Sequence, residues 1–309
     1  MRGAGFDLAP PHRPLSEPDV KSVSAFVDRN ARYLFPLPAV LAILVLIVAP
    51  VLTNFVLSLY DFFVGGRAFF VGTENFERAF TDPRVWNGIR NTFYFTFTAV
   101  PLQLLLGIAI AVLFNRDFLG KGLARTVILL PMVATPVAIA LIWALMFNPS
   151  LGVLNYFLES LGLSRSLWVA QSNLAIPSLV LVDTWQWSPM IALILLAAMQ
   201  SVPAEHYEAA RIDGASGWQS FWHITIPGIR SAIVVALILR AVDALKTFDI
   251  IYVITEGGPG TASETLNVLA FKTGFQFFHA GYAATLLILL MFLVLGIAVL
   301  LNQIRRRTS

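Results

Sequence analysis

Residues 201–227 read SVPAEHYEAARIDGASGWQSFWHITIP, and long apolar runs flank this stretch on both sides. Pro203 is typical of the first turn of a helix, and Gly214 is placed to end that helix. Ser216, followed by Gln219 three residues later, predicts a capping box at the start of a second helix. The stretch is too polar to lie in hydrocarbon, so we predict a polar helix–turn–helix between two membrane spans. Its charged or titratable residues are Glu205, His206, Glu208, Arg211, Asp213 and His223.

Composition identifies the whole chain as a membrane protein. Hydrophobic residues make up 57% and charged residues 13% of it, with a mean hydropathy of +0.75. Soluble domains carry roughly 25% charged residues. The net charge of +3 is too small to favour a nucleic-acid partner, and the absence of cysteine excludes disulfides and thiol chemistry. No phosphate-binding loop of the G-x-x-x-x-G-K-[ST] type is present, so we do not expect this chain to hydrolyse ATP.

Apolar runs long enough to cross a bilayer, about 20 residues each, recur along the chain. They predict an all-α integral membrane protein with six transmembrane helices. The runs are 33–60, 90–114, 124–147, 174–200, 228–254 and 282–304.

The distribution of lysine and arginine predicts the orientation of these spans. Thirteen of them lie in the N-terminal tail, the loop after the second run, the central loop and the C-terminus, and six lie in the opposite loops. Because basic residues concentrate on the cytoplasmic side, we expect both termini and the central loop to be cytoplasmic. The predicted regions are a cytoplasmic tail (1–31), a first helix with its external segment (32–89), a core of five helices containing the loop 201–227 (90–304), and a basic cytoplasmic C-terminus (305–309).

Three external segments connect the runs in this arrangement. In 61–89, Thr73 is expected to cap a short helix that ends near Phe80, and Asp82-Pro83 turns the chain into another. The segment 148–173 predicts one short amphipathic helix from about Val153 to Leu161. The segment 255–281 begins TEGGPGTASET and is expected to form a flexible Gly-rich turn.

The central loop also resembles a known family. Glu208-Ala209-Ala210, Gly214 and Ile226-Pro227 resemble the "EAA…G…(I/L)-P" loop of the membrane subunits of ATP-binding-cassette importers. Longer segments are similar to the carbohydrate branch of this family, the maltose and glycerol-phosphate permeases. They are EAARIDGAS with ITIPGI, FDIIYVITEGGPG, and FVGTENFERAFTDP. The resemblance covers most of residues 34–304.

This resemblance implies the type I importer permease fold, with a cytoplasmic coupling helix between the fourth and fifth spans. It implies an external, periplasmic or extracellular solute-binding protein, a second and different permease subunit, and two ATP-binding subunits that hold ATP and Mg²⁺. This chain would bind no cofactor of its own. The substrate would be a sugar, polyol or glycoside, and the location the bacterial cytoplasmic membrane. The residues implied in coupling are Glu205, Glu208, Ala209, Ala210, Asp213 and Gly214.

Charged residues inside a span cost about 2.5–3.5 kcal/mol each on insertion scales, so they are candidates for function. Arg240, Asp243, Lys246 and Asp249 alternate in sign at intervals of three in the fifth run. Neighbours at this spacing can pair and so let the helix insert. They could instead form a gate or a polar wall of a substrate path. On one continuous helix, Arg240 and Asp249 would lie on opposite faces.

The fourth run contains LVDTWQWSPM, with Asp183, Trp185, Gln186 and Trp187. Aromatic rings with polar neighbours suit sugars, but tryptophans also anchor helices at a membrane interface. Further candidates for the pathway are polar residues that could equally bond neighbouring helices. They are Asn54, Tyr94, Gln103 and Thr247.

Two other functional classes are consistent with a six-span chain. A secondary transporter or channel that works alone would be supported by inverted repeats, but the sequence shows no internal repeat, and the polar central loop would have no role. A membrane scaffold would leave the charges within the spans without a purpose.

Overall fold

The computed structural model describes residues 30–33 and 35–308, so the predicted tail 1–31 lies almost wholly outside the described residues. The described chain is mostly helical, as predicted. It divides into a first unit that ends at Thr53 and a second unit, Asn54–Ser309.

The first helix, α1, consists of Leu37–Ile43, a wider π-helical turn at Leu44–Val48, and Ala49–Ser58. Two antiparallel strands follow, with Tyr60 opposite Phe70. The remaining elements are β1 (Tyr60–Phe62), β2 (Ala68–Phe70), α2 (Glu74–Thr81), α3 (Pro83–Phe114), α4 (Lys121–Val133), α5 (Pro136–Met146), α6 (Val153–Ser160), α7 (Ser172–Gln200), α8 (Ala204–Ile212), α9 (Gly217–Gly228), α10 (Arg230–Ala244), α11 (Asp249–Thr255), α12 (Leu266–Phe271) and α13 (Ala280–Thr308).

Four of the described helices are long and apolar enough to cross a membrane: α1, α3, α7 and α13. Two further candidates are bent pairs, α4 with α5 at 97° and α9 with α10 at 65°, which raise the number to six if each pair is one span. The α4–α5 bend has a local cause. Pro136 disfavours a helical conformation in the residue before it, and Thr135 is extended, with φ −66° and ψ 139°.

The second span begins earlier than the run 90–114 predicted. The α3 helix starts at Pro83, and the Asp82 carboxylate caps it by accepting a hydrogen bond of 2.8 Å from the backbone N–H of Arg84. The apolar run is shorter than the helix because the first turns of α3 are polar. The short helix expected after Thr73 is present as α2, although the Thr73 hydroxyl caps no backbone group and lies 3.2 Å from Glu77 Oε1.

We expected the fifth run, 228–254, to form one helix, but it does not. The chain leaves the helix after Ala244 and resumes at Asp249, and Asn267 donates a hydrogen bond of 2.7 Å to the carbonyl of Lys246 in the gap. The expectation that Arg240 and Asp249 occupy opposite faces of one helix is therefore wrong.

The segment 255–281 packs against the bundle instead of forming an open Gly-rich turn. The side chains of Ser263 and Glu264 are fully buried. Asn87 and Asn91 of α3 both donate hydrogen bonds to the carbonyl of Thr261, at 2.9 and 3.0 Å. These long-range contacts fix a segment whose composition alone is typical of a free loop.

Helices α3 and α7 pack along each other and form the centre of the second unit. The two helices approach closely at Gly107, where an added Cβ would lie 2.5 Å from Cγ2 of Ile191. Buried apolar side chains of both helices fill the space on either side, among them Phe95 and Leu179. This contact brings the polar residues in the middle of α3 and α7 to the same level.

Candidate functional site

A buried ionic cluster joins α3, α7 and α10. The Arg240 side chain is fully buried, and its guanidinium donates three hydrogen bonds. Nε donates to Oε1 of Gln103 at 2.8 Å, Nη2 to Oδ2 of Asp183 at 2.9 Å, and Nη1 to Oδ2 of Asp243 at 2.5 Å. Gln103 and Asp183, predicted separately as pathway candidates, are thus partners of the same arginine, as is Asp243.

Further contacts complete the cluster. Gln103 Nε2 donates a hydrogen bond of 2.6 Å to Asp183 Oδ2, and the Trp187 ring centroid lies 5.0 Å from Cζ of Arg240. A buried charge is strongly destabilising when it lacks a partner, so each member depends on the others. We name Gln103, Asp183 and Arg240 the buried cluster.

The charged series continues from this cluster towards the surface of the chain. The Asp243 and Lys246 side chains are 44% and 57% exposed, with 3.6 Å between Asp243 Oδ1 and Lys246 Nζ. The pairing expected at three-residue spacing is confirmed for Arg240–Asp243 and for Asp243–Lys246. Thr247 is half-buried and its hydroxyl contacts the Asp243 carbonyl at 3.4 Å, while Asp249 is exposed.

Several buried polar atoms of α7 have no hydrogen-bond partner among the described residues. They are Asp183 Oδ1, Thr184 Oγ1 and both amide atoms of Gln186. Because buried polar groups are almost always paired, these atoms have hydrogen-bonding capacity for water or a hydroxyl group. Nearby in sequence, Trp185 is 44% exposed and meets Trp143 edge to face at 5.6 Å.

Two pathway candidates, Tyr94 and Asn54, belong neither to the buried cluster nor to the charged series. Tyr94 is exposed on α3, nine residues before Gln103 and so about 14 Å away along the helix axis. Asn54 is half-buried on α1, where the second unit begins.

The polar loop 201–227 folds as its caps predict. Helix α8 follows Pro203, and Gly214 has a left-handed φ of 77°. The Ala215 N–H bonds the Ala210 carbonyl at 2.9 Å, which is the Schellman pattern of a glycine-terminated helix. The predicted capping box is confirmed: Gln219 N–H donates to Ser216 Oγ at 3.3 Å, and Ser216 N–H donates to Gln219 Oε1 at 2.7 Å.

The predicted coupling residues lie on the accessible side of this loop. Glu205, Glu208, Ala209, Asp213 and Gly214 are exposed, and Ala210 is half-buried. A cleft of about 540 Å³ separates α8 from α9, and its walls include Ala209, Ala210, Asp213 and His223.

Sequence reasoning missed two features of the loop. Ile212 is 87% exposed at the end of α8. A large apolar residue between Arg211 and Asp213 in a polar helix is the sequence signal that could have revealed it. Tyr207 and Thr225 join α8 to α9, with 3.0 Å between their hydroxyl oxygens.

Residues 103–308, which contain the buried cluster and the loop, match the family model described as "Binding-protein-dependent transport system inner membrane component". The chain belongs to this family. The importer-permease resemblance drawn from the central loop is thereby confirmed, and the family is one of transport subunits rather than enzymes.

Two relatives of this inner membrane component cover nearly all of it. The trehalose/maltose transport system permease protein MalF of Thermococcus litoralis is 37% identical over 89% of this chain and 93% of its own. The sulfoquinovosyl glycerol transport system permease protein SmoG of Agrobacterium fabrum is 36% identical, over 91% and 92%.

A solved structure supports the fold. A chain in the crystal structure of a bacterial alginate ABC transporter, in complex with an alginate pentasaccharide-bound periplasmic protein, matches with a TM-score of 0.81. It is 23% identical and covers 92% of this chain and 96% of its own. The helices of this chain therefore have the arrangement of an ABC importer permease.

Proposed function

We propose that this chain is the transmembrane permease subunit of an ATP-driven, binding-protein-dependent importer of a carbohydrate or a carbohydrate derivative such as a sugar, polyol or glycoside. It forms half of the translocation pathway, and a second permease subunit forms the other half. Two partner subunits bind ATP and Mg²⁺, and an external binding protein delivers the solute. The observation that carries this proposal is the exposed helix α8, which ends at the left-handed Gly214 and lies between two candidate spans.

The surface of α8 suits a protein partner. Glu208 is exposed, and it forms no ion pair with any residue in the described part of the chain. Ala209 lets a partner approach the helix closely, and Ile212 offers an apolar contact. Because Gly214 and the capping box fix the shape of the loop, force applied to α8 moves the helices attached to it as a rigid body.

The polar residues of the spans divide into two roles. Gln103, Asp183 and Arg240 hold three helices together inside the protein. Asp243 and Lys246 are accessible at the interruption between α10 and α11, and we assign them, with Thr247 and Asp249, to the wall of the solute path. Interrupted helices within a membrane are tolerated where they line a cavity.

A carbohydrate is the substrate class that agrees with the polar residues assigned to the solute path and with the names of the relatives. Charged and amide side chains hydrogen-bond to hydroxyl groups, and the half-exposed ring of Trp185 offers a surface for the C–H face of a sugar. The two relatives named for trehalose or maltose and for sulfoquinovosyl glycerol point to the same class.

The location we propose is the bacterial cytoplasmic membrane. Counting each bent pair as one span gives six spans with both termini inside, residues 1–31 and 305–309 as cytoplasmic ends, and α8 facing the cytoplasm. This topology places α8 on the side where ATP is available.

The test reverses the charge of Glu208. In Glu208→Lys the chain should insert at normal levels, while copurification of the ATP-binding subunit, solute-stimulated ATP hydrolysis and solute uptake fall together. The matched control is Glu74→Lys, which makes the same charge change at an exposed position in the first turn of α2. Normal uptake by Glu208→Lys at normal protein levels would falsify the proposed coupling role.

The solute is identified separately. Labelled mono- and disaccharides, polyols and glycosides are titrated onto the cognate binding protein, and any ligand found is then tested for ATP-dependent uptake. Uptake of an amino acid or peptide, with no response to any carbohydrate, would contradict the substrate class.

A further inference from the structure

The strands β1 and β2 form a small hairpin that exposes several large apolar side chains. Its turn is closed by a hydrogen bond of 2.9 Å from Gly66 N–H to the Phe63 carbonyl, and Gly65 has the positive φ of 87° that a type II turn requires. Large apolar side chains stand out from the hairpin: Val64 is 56%, Phe69 61% and Phe70 69% exposed. Because successive strand residues point to opposite faces, the hairpin exposes a phenylalanine on each face.

The hairpin is fixed at the ends of two candidate spans. Only Leu59 separates it from the last residue of α1, and the backbone of Phe63 pairs with His279, which directly precedes α13. Val64 N–H also donates a hydrogen bond of 2.9 Å to the carbonyl of Phe278. Because a span ends where the hydrocarbon layer ends, these connections place the hairpin at the level of the lipid headgroups.

The approach between hairpin and span is close. An added Cβ on Gly281, in the first turn of α13, would lie 2.0 Å from the carbonyl oxygen of Tyr60. The backbone of the hairpin is thus held directly against the start of the span, and the hairpin cannot extend far from the membrane boundary.

The charge at the turn complements a phospholipid. Arg67 is exposed, and within the described ranges it forms no ion pair or hydrogen bond with another residue. A guanidinium binds phosphate in a bidentate manner, and it is more weakly hydrated than an ammonium group. Arg67 precedes the two exposed phenylalanines by two and three residues, so a cation and apolar rings are presented together.

We propose that the hairpin 60–70 is a membrane-interface anchor. Phe69 and Phe70 lie in the outermost acyl region, and the Arg67 guanidinium binds the phosphate of a glycerophospholipid. The spans that adjoin the hairpin also expose apolar side chains, among them Val56 in the last turn of α1 and Leu287 of α13, which favours lipid over a protein partner. This assignment depends only on the chain spanning a membrane and not on the transported solute.

Spin labels on single cysteines test the anchor, since the chain has no cysteine of its own. The full-length chain, in its transporter assembly, is placed in nanodiscs of phosphatidylethanolamine and phosphatidylglycerol. A label at Phe70→Cys should be accessible to oxygen but several-fold less accessible to a nickel chelate than a label at Ser164→Cys, an exposed position on another segment. Equal nickel accessibility at the two positions would overturn the proposal. So would protection of position 70 that arises only when the binding protein is added.

A second pair of variants tests the phosphate contact. With the label moved to Ala68→Cys, an exposed strand residue, Arg67→Glu should shift the label towards water, and Arg67→Lys should retain most of its depth. The substitutions lie at an exposed turn, so the thermal unfolding temperature should not change. An unchanged depth in Arg67→Glu would rule out the contact between Arg67 and lipid phosphate.

Discussion

The buried cluster and the loop 201–227 are both built from charged residues, but they satisfy those charges in opposite ways. The guanidinium of Arg240 has no exposed surface and bonds side chains of α3, α7 and its own helix. Glu208 is exposed and forms no ion pair with a described residue. A charge paired inside the chain holds the fold together, whereas a charge left at the surface is available to another molecule. Substitutions in the buried cluster should therefore lower stability, whereas substitutions in the loop should lower association with a partner.

The largest effect is expected from removing the buried partner of Arg240. Asp183→Ala leaves a buried guanidinium without its carboxylate on α7, and breaking a buried pair in this way costs about 3–5 kcal/mol. We expect loss of expression, or a much lower thermal unfolding temperature in detergent. Solute uptake should fall only in proportion to the amount of folded protein.

The matched control is an ion pair at the surface. Arg165 and Glu159 are 53% and 46% exposed, and exposed pairs contribute little to stability. Glu159→Ala should therefore leave expression and unfolding temperature near those of the parent. If Asp183→Ala and Glu159→Ala were equally stable, the buried cluster could not be what holds α3, α7 and α10 together.

A smaller effect is expected at the turn of the loop. Gly214 has a φ of 77°, so a side chain there is strained by about 1 kcal/mol or more, although an added Cβ would meet no atom within 4 Å. Gly214→Val should weaken association with the ATP-binding subunit and reduce uptake, while lowering the unfolding temperature only slightly.

Gly217 provides the control for this substitution. A Cβ at Gly217 also meets nothing within 4 Å, and its φ lies outside the left-handed region, so Gly217→Val adds the same bulk without the same strain. Equal uptake by the two variants would show that the left-handed turn does not matter for coupling.

The loop and the cluster also differ in how well the sequence predicts them. The ends of α8 and α9 follow from residues a few positions apart: Pro203, Gly214 and the Ser216–Gln219 box. The cluster depends on Gln103 and Arg240, which are 137 residues apart in the chain. Periodicity gives the helices but not which of their faces meet, so these side chains were identified as polar residues of the spans and not as partners.

The same limit explains the errors in the fold. The gap at 245–248 is stabilised by Asn267, and the segment after α11 is held by Asn87 and Asn91, all of which lie on other elements. A single sequence contains no signal for such contacts. The early start of α3 is predictable in part, because Asp82-Pro83 favours the start of a helix.

A third experiment concerns the accessible end of the charged series. The Asp243–Lys246 pair is partly exposed, so we expect a coupling free energy below about 1 kcal/mol in a double-mutant cycle. Lys246→Ala should have little effect on insertion, because Asp243 keeps its bond to Arg240. Asp243→Ala should have the larger effect, since it also removes a partner of a buried guanidinium.

Expression and unfolding temperature measure stability in this cycle, and uptake at matched protein levels measures function. If Lys246 belongs to the wall of the solute path, Lys246→Ala lowers uptake without lowering stability. A coupling with Lys246 as large as the effect of Asp183→Ala would instead place Lys246 in the buried cluster.

The smallest effect is expected at the Glu159–Arg165 pair, which shows how little an exposed pair contributes. Hydrogen bonds from Arg165, of 2.5 and 3.2 Å, lower the pKa of the Glu159 carboxyl. Because the folded-state pKa is lowered, the stabilisation is present above the unfolded pKa of about 4.3 and is lost as the pH falls through the folded value. A spin label at Ser164→Cys should therefore become slightly more mobile as the pH falls below the unfolded pKa of about 4.3. In Glu159→Gln its mobility should not change with pH.

The segment should stay folded throughout, because Asn155 Oδ1 accepts hydrogen bonds from Ser166 N–H at 3.0 Å and from Trp168 Nε1 at 2.9 Å. The same pH response in Glu159→Gln would assign the titration to another group.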